Sequence, residues 1–165
     1  MSNQVPAWQG PILDNHFHLN RNGRYLDAAH DFKRAGGTNI VLIHCPDFAS
    51  PPTTKEGHRA AYQNTIAMAE SVRTELDLHV RVVLGPHPAA FAHQFIEWVE
   101  QDGAKGKNRA IENYRDSIDE AVKFYHEGKA HAIGEVGRPH WEVSQEIWDL
   151  SNDLLCETMS LAAND

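Results

Sequence analysis

Three residues near the N-terminus combine a chemistry and a spacing that suit metal binding: Asp14, His16 and His18 form an Asp-x-His-x-His motif. Side chains two residues apart on an extended strand point to the same side, so both imidazoles can reach one metal ion. The chain contains eleven histidines, so a His-x-His pair alone is weakly specific. Its position is more informative, because the motif ends a predicted strand, and (β/α) barrels carry their active sites at the C-terminal ends of strands. The alternative interpretation is a polar loop that follows a strand.

Side chains of types that can bind a metal ion also lie at the ends of the three later predicted strands. In chain order they are His44, His87 and Glu135. Functional residues of parallel α/β folds cluster at these ends, so the coincidence across four strands is more persuasive than any single residue. Imidazole nitrogens and a carboxylate suit zinc and other divalent transition metals. Such a metal lowers the pKa of a water molecule that it binds, which supplies a nucleophile near neutral pH. We therefore expect His16, His18 and Glu135 to converge on one site.

Strands and helices alternate along the chain. The predicted strands are Pro11–Asn15, Thr38–His44, His79–Leu84 and Ala130–Gly134. The second of them is a short apolar run with several β-branched residues, which is typical of a strand buried on both faces. Strands separated by helices imply parallel pairing and right-handed crossovers. The sequence therefore predicts four βα units.

The expected fold class that follows from four such units is α/β. A closed eight-stranded barrel typically takes about 250 residues, whereas this chain has 165. We therefore predict the (βα)4 half of a TIM barrel, with parallel strands and flanking helices, and with residues 1–165 as a single N-terminal half-barrel domain. An open four-stranded sheet flanked by helices is the structural alternative.

The helices are predicted from apolar residues at helical spacing and from their capping residues. In chain order they are a helix on Leu26, Ala29, Phe32 and Lys33 that stops at Gly36-Gly37, a long helix from Thr53 to Leu76, a short helix at Phe91–Glu100, a polar segment at Asp102–Arg109, a helix at Ile111–His126 and a last helix after Ser144. The long helix starts with the capping-box form Thr53-x-x-Glu56. Ser144 can cap the last helix, whose inner stripe includes Ile147 and Met159.

The composition indicates one globular domain and argues against several functions. The net charge is −8 and the pI is about 5.7, whereas a dedicated binder of nucleic acid or of anionic membranes needs clustered Lys and Arg. A local basic rim around a substrate is compatible with this charge. No apolar run approaches the roughly 20 residues of a membrane span, and the N-terminus does not resemble a secretory signal. Cys45 and Cys156 lie far apart in sequence and form no Cys-x-x-Cys motif. We therefore expect them to be reduced thiols in a cytoplasmic protein.

Three motifs along the chain resemble those of one enzyme family. They are Asp14-Asn15-His16-Phe17-His18, Gly85-Pro86-His87-Pro88 and Ile133-Gly134-Glu135-Val136-Gly137, and the last continues as Arg138-Pro139-His140. Their order and approximate spacing resemble the TatD-like metal-dependent hydrolases, a TIM-barrel branch of the amidohydrolase superfamily. The chain is most similar to an archaeal, TatD-related branch. The resemblance extends from Pro11 to the last helix.

The resemblance implies roles for individual residues. His16 and His18 would bind a first metal ion, and Glu135 would bridge to a second ion or to the bound hydroxide. His87 and Arg138 are assigned to substrate binding, with His87 near a scissile phosphate. The expected cofactors are one or two divalent ions, zinc, manganese or magnesium. The further histidine ligands and the catalytic aspartate of the family come from strands five, six and eight, beyond the four units predicted here, so no residue is assigned as catalytic.

Two functional interpretations follow. In the first, metal-activated water hydrolyses a phosphodiester, an amide or an ester, and DNA is modestly favoured, so the substrate is a small molecule or a DNA end. In the second, the chain is a non-catalytic, metal-binding half-barrel. Both predict association, either as a homo-oligomer or with a second half-barrel chain, because a half-barrel leaves open strand edges. No membrane partner is expected.

The remaining aromatic and histidine residues receive more ordinary interpretations. His44 is either a further ligand or a strand-end histidine satisfied by the backbone, and His140 is a loop or packing residue. Four other histidines are expected to be helical or solvent-facing: His30, His58, His93 and His126. Trp141 and Trp148 are expected in the core or at an interface.

Overall fold

Four parallel strands form one sheet in the order β1-β2-β3-β4 in the computed structural model, which describes residues 8–163 of the chain. The strands are β1 (Leu13–Phe17), β2 (Asn39–Ile43), β3 (His79–Leu84) and β4 (Ala132–Ile133). The helices are α1 (Tyr25–Arg34), α2 (Lys55–Leu76), α3 (Pro88–Asp102), α4 (Ala104–His126) and α5 (Gln145–Ala163). Every strand is followed by a helix, so the predicted α/β class and the (βα)4 half of a TIM barrel are confirmed.

The strand boundaries agree with the prediction at β3, differ by one residue at each end of β2, and depart further at the two edges of the sheet. β3 has the predicted boundaries. β1 begins two residues later than predicted and continues to Phe17. β4 contains only two residues, which pair with Val83 and Leu84 of β3. An edge strand has one paired neighbour instead of two, so fewer hydrogen bonds define its ends.

The prediction of a polar segment between two helices at Asp102–Arg109 is wrong, because α4 begins at Ala104 and includes most of this segment. Gly103 separates α3 from α4 and has a φ angle of +56°, in the left-handed region that favours glycine. Gly106 lies against the backbone of α3, where an added Cβ atom would be 1.8 Å from the carbonyl oxygen of Trp98. The two helices therefore approach through a glycine, and hydrophobic periodicity does not reveal such a contact.

Side-chain caps begin three of the helices, α2, α3 and α5, and the sequence predicts caps for α2 and α5. The hydroxyl of Thr54 accepts a hydrogen bond from the backbone N–H of Gly57 at 3.1 Å. The predicted capping box starting at Thr53 is therefore wrong by one residue, because Thr54 has the extended backbone that an N-cap needs. Ser144 caps α5 as predicted, since its Oγ accepts a hydrogen bond from the N–H of Ile147 at 3.4 Å.

The inner stripe of α5 departs from the prediction at its last position. Ile147 and Leu154 are buried, but Met159 is 62% exposed, so its predicted place in the core is wrong. Thr158 is buried instead, and its hydroxyl donates a hydrogen bond to the carbonyl of Leu154 at 2.8 Å. This bond satisfies the hydroxyl within the helix, which allows a polar residue to occupy the inner face.

Two hydrophobic clusters hold the helices in place. One packs α1, α2 and the end of α4 against the sheet, and the other joins α3, α4 and α5. In β2, Ile40 and Leu42 are buried at 1% exposure on one face. On the other face Asn39 and Val41 are half-buried and Ile43 is buried. The expectation that this strand is buried on both faces therefore holds fully for one face and, on the other, at Ile43. Within residues 8–163, no layer covers the face of the sheet that points away from the helices, which we call the inner face.

Two further predictions concern the surface. No helix between residues 8 and 163 is long and apolar enough to cross a membrane. Cys45 and Cys156 are both free and exposed.

We expect Gly106→Ala to lower the free energy of unfolding by about 1–3 kcal/mol, because the added methyl group overlaps the backbone of α3 and separates the two helices. Urea unfolding followed by circular dichroism measures this change. The control is Lys105→Ala at the exposed neighbouring position, which should change stability by less than about 0.5 kcal/mol. Equal stabilities of the two variants would contradict the close contact.

Candidate metal centre

His16 and His18 reach the inner face of the sheet because β1 contains an irregularity. Asp14 pairs with Ile40 and Phe17 pairs with Leu42, so three steps along β1 face two steps along β2. Phe17 packs against the core beneath the helices. The two histidines on either side of it therefore point to the opposite face, and their ring centroids lie 4.8 Å apart.

Glu135 follows β4 and joins the two histidines at the C-terminal edge of the sheet. One ligand atom from each of His16, His18 and Glu135 lies within 4.8 Å of the others. Nε2 of His16 lies 3.1 Å from Oε1 of Glu135. The structure thus brings together the three residues for which the sequence predicts metal binding.

A hydrogen bond to His18 and an unpartnered oxygen of Glu135 both suit a cation at this site. Nδ1 of His18 lies 3.1 Å from the carbonyl oxygen of Ile43, which can only accept a hydrogen bond, so this contact places the proton on Nδ1 and leaves the Nε2 lone pair free. Oε2 of Glu135 is buried and has no hydrogen-bond partner among residues 8–163. A buried carboxylate oxygen without a partner is costly, and a metal ion would satisfy it. The donor set therefore fits a divalent cation.

Asp14 contacts the backbone at this site. Its Oδ1 accepts a hydrogen bond from the backbone N–H of His16 at 3.0 Å. This bond closes a short turn within the irregular part of β1 and fixes the backbone that carries the first histidine. Asp14 does not belong to the group of converging ligand atoms.

His87 lies beside the three-residue group as the N-cap of α3. Its Nδ1 accepts a hydrogen bond from the N–H of Ala89 at 3.0 Å, so in the neutral ring the proton is on Nε2. Nε2 lies 3.4 Å from Oε2 of Glu135, without hydrogen-bond geometry. Burial lowers the pKa of His87, Glu135 opposes this effect, and His18 and His140 reinforce it. His87 is therefore a neutral N–H donor that faces the carboxylate.

A glycine allows this arrangement of His87 and Glu135. An added Cβ atom on Gly85 would lie 2.8 Å from the carbonyl carbon and oxygen of Gly134. Any side chain at this position would push the segment after β3 away from the segment after β4. The glycine of the Gly-Pro-His-Pro motif thus has a steric role at the site.

His44 lies behind the site and does not belong to the group of ligand atoms. It is 7% exposed, and its Nδ1 lies 2.8 Å from the hydroxyl of Thr65. The interpretation that the backbone satisfies its ring is therefore wrong, because a side chain of α2 does so. Burial lowers the pKa of His44 to about 4, and His58 and His18 add to the effect.

His58 lies on helix α2, which agrees with the first of its two predicted interpretations, helical or solvent-facing. It is buried, and its Nε2 lies 3.0 Å from Oδ1 of Asn113. The Nδ2 group of Asn113 donates to Oε1 of Gln94 at 3.0 Å. These polar side chains line a cavity of about 30 Å³ that also includes His44. The sequence holds a signal for His58, because it precedes the core residue Tyr62 by four positions on the same helix face.

Arg138 and His140 lie on the segment after Glu135 and face outward. The guanidinium of Arg138 lies 5.0 Å from the ring centroid of Trp148 in α5. His140 is exposed and packs edge-on against Trp141 at 5.1 Å. Substrate binding by Arg138 stays a prediction, because the side chain stacks on α5 and is not in the group of metal-ligand atoms.

The fold and the site are together typical of metal-dependent hydrolases. In that class of protein, histidines and a carboxylate converge at the C-terminal ends of the strands of a (βα) barrel. The family model of the TatD related DNases matches residues 13–164. The chain belongs to this family.

One similar protein is an uncharacterized protein of Methanocaldococcus jannaschii, MJ1127, with 28% identity over 155 residues. The match covers 92% of this chain and 51% of that protein, so the chain spans about half the length of this curated relative. No solved structure matches the chain significantly.

We expect the free energy of unfolding to fall as the pH drops from about 6.5 towards about 4, because His44 has a pKa of about 4 in the folded chain and about 6.5 when unfolded. Between these values the unfolded state binds more protons, so acid favours unfolding. The loss from this residue amounts to roughly 3 kcal/mol. Urea unfolding at a series of pH values measures the slope, which should be shallower in His44→Gln. Identical slopes in the two proteins would contradict a buried, neutral His44.

Proposed function

We propose that His16, His18 and Glu135 hold a divalent metal ion and that the chain supplies this part of the active site of a metal-dependent hydrolase. The observation that carries the proposal is the convergence of the three ligand atoms within 4.8 Å at the ends of β1 and β4. Two imidazoles and one carboxylate are a donor set typical of catalytic zinc, which keeps an open position for water. Manganese and magnesium are the other proposed ions.

The protein groups around the ion have separable roles. The carbonyl of Ile43 orients His18 through its Nδ1. The Nε2–H group of His87 points towards the metal-facing carboxylate, where it can donate to an oxygen of the group that is cleaved. A divalent ion held by His16, His18 and Glu135 would lower the pKa of a water molecule bound to it and so would supply a nucleophile near neutral pH. The catalytic aspartate would come from outside these four βα units.

A phosphodiester is the substrate that these groups support best. The matched family is described as DNases, and His87 provides an uncharged N–H donor beside the metal ligands. Arg138 is an exposed cation three residues after Glu135, and we propose that it binds the substrate. The net charge of −8 favours a short substrate or a DNA end held locally over a long duplex. Amide and ester substrates are less well supported.

We also propose that a second half-barrel, from another chain or a second copy, covers the inner face of the sheet. Ile12 and Leu13 beside the β1 edge are 37% and 57% exposed. Arg81 pairs in register with Val41, is exposed and forms no ion pair within residues 8–163. Covering apolar surface is worth about 25 cal/mol per Å². A non-catalytic, metal-binding half-barrel is the alternative function, and it predicts metal binding without turnover.

Calorimetric titration should show one equivalent of metal per chain, bound weakly and with little selectivity among zinc, manganese and magnesium, because three protein ligands leave coordination positions open. Glu135→Gln and His18→Ala should each weaken binding by at least about tenfold. The matched control is His30→Ala, an exposed histidine of α1, which should bind as the wild type does. Tight binding of two equivalents would contradict a three-ligand site.

Size-exclusion chromatography with light scattering should show that the chain associates, because the inner face and both strand edges are open. A phosphodiesterase assay with added metal should show turnover only when the missing strands are supplied. A stable monomer with turnover that Glu135→Ala abolishes would show instead that the active site is complete within these four units.

A further inference from the structure

A cleft of about 670 Å³ lies beside the metal centre, between the turn after β1, the loop after β2 and the helix α2. Its walls include His18, one of the three converging ligands, and Arg21, three residues further along the chain. A molecule in this cleft can therefore reach the metal centre and an arginine at the same time. None of the assigned roles uses this cleft.

Arg21 is held in place by uncharged groups. Its Nε donates to Oδ1 of Asn64 at 2.7 Å, and one terminal nitrogen donates to the hydroxyl of Tyr25 at 3.4 Å. The guanidinium also lies 5.0 Å from the ring centroid of Tyr25. The Oδ1 atom of Asn20 accepts a hydrogen bond from the backbone N–H of Asn22 at 2.8 Å, which closes the turn. The position of the guanidinium is thus defined, while no carboxylate of residues 8–163 forms an ion pair with it.

Arg21 is one of six Lys and Arg side chains that form no ion pair with a carboxylate within residues 8–163, and of these six it is the one that lines this cleft. In the same part of the chain, the other nine of the fifteen form such a pair: Arg24, Arg34, Lys55, Arg59, Arg73, Lys107, Arg115, Lys123 and Lys129. Arg21 forms none within the described part of the chain. The lining of the cleft contains one carboxylate, Asp47, whose Oδ1 accepts the backbone N–H of Ala49.

We propose that this cleft binds an oxyanion of the substrate at Arg21, namely the phosphate that neighbours the phosphodiester placed at the metal centre. The guanidinium keeps N–H donors of its terminal nitrogens free, and their planar fork matches a phosphate group. Preorganisation by Asn64 and Tyr25 lowers the entropy cost of the contact. This inference rests on the proposed function and narrows its substrate class to phosphodiesters that carry a second phosphate, as at the phosphorylated end of a DNA strand.

The test compares two probes, a thymidine dinucleotide with a 5′-terminal phosphate and the same dinucleotide without it. Titration of the full chain, followed by nuclear magnetic resonance, gives both affinities and locates the contact through the Arg21 Nε–H and Asn64 side-chain signals. The wild type should bind the phosphorylated probe about tenfold more tightly. Arg21→Gln should remove this preference, and Arg21→Lys should retain part of it, since lysine keeps the charge but not the fork.

Arg34→Gln is the matched control, because this exposed arginine of α1 pairs with Asp31 and does not line the cleft. It should keep the preference. Equal affinity for both probes in the wild type, or a preference that survives in Arg21→Gln, would overturn the inference. Inorganic phosphate separates the two proposals: Arg21-dependent binding of phosphate with no binding of either dinucleotide would keep the anion site and contradict the phosphodiester function. Binding of none of the three probes would overturn both.

Discussion

The close approach of the backbone at Gly85 to Gly134 is the constraint on which the site depends. β4 has only two residues in the sheet, so the pairing of β3 with β4 is short and cannot by itself define where the following chain goes. The glycine contact brings the segment after β3 against the segment after β4. His87 and Glu135 then face each other across it. One missing Cβ atom therefore couples the end of the sheet to the geometry of the proposed metal centre.

Buried polar contacts hold α2 against α4 behind this site. The hydroxyls of Tyr62 and Ser117 lie 2.6 Å apart, and His58 contacts Asn113. Within a buried region such bonds are strong only when every member has a partner, and they then favour one arrangement of the helices. The buried carboxylate of Glu120 adds to this contact, because its Oε2 accepts a hydrogen bond from Arg59 of α2 at 2.9 Å. Burial raises the pKa of Glu120, but its bonds to Lys123 and Arg59 outweigh this effect, so the pKa is lowered.

The sequence predicted the order of elements and the residues of the site because both depend on local patterns. The apolar run of β3 and the glycine stop of α1 are signals of this kind. The irregularity in β1, the left-handed residue Gly103 and the burial of His58 were missed, since each depends on a contact made in three dimensions. Helical spacing alone predicts Met159 in the core. Thr158 takes that position instead, because its hydroxyl donates a hydrogen bond to the carbonyl of Leu154 within the helix. Periodicity describes which face a residue occupies and says little about how the backbone departs from ideal geometry.

The irregularity in β1 makes the length of the Asp-x-His-x-His motif as important as its composition. The step from Asp14 to Phe17 contains one residue more than the paired step in β2. A strand that lost Asn15 would pair regularly, with His16 opposite Val41 and Phe17 still opposite Leu42, so both histidines would keep their face of the sheet. It would lose the short turn in which Asp14 accepts a hydrogen bond from the backbone N–H of His16, because that bond spans two residues. The length of this stretch therefore decides how the backbone of the first histidine is held, which its composition alone does not show.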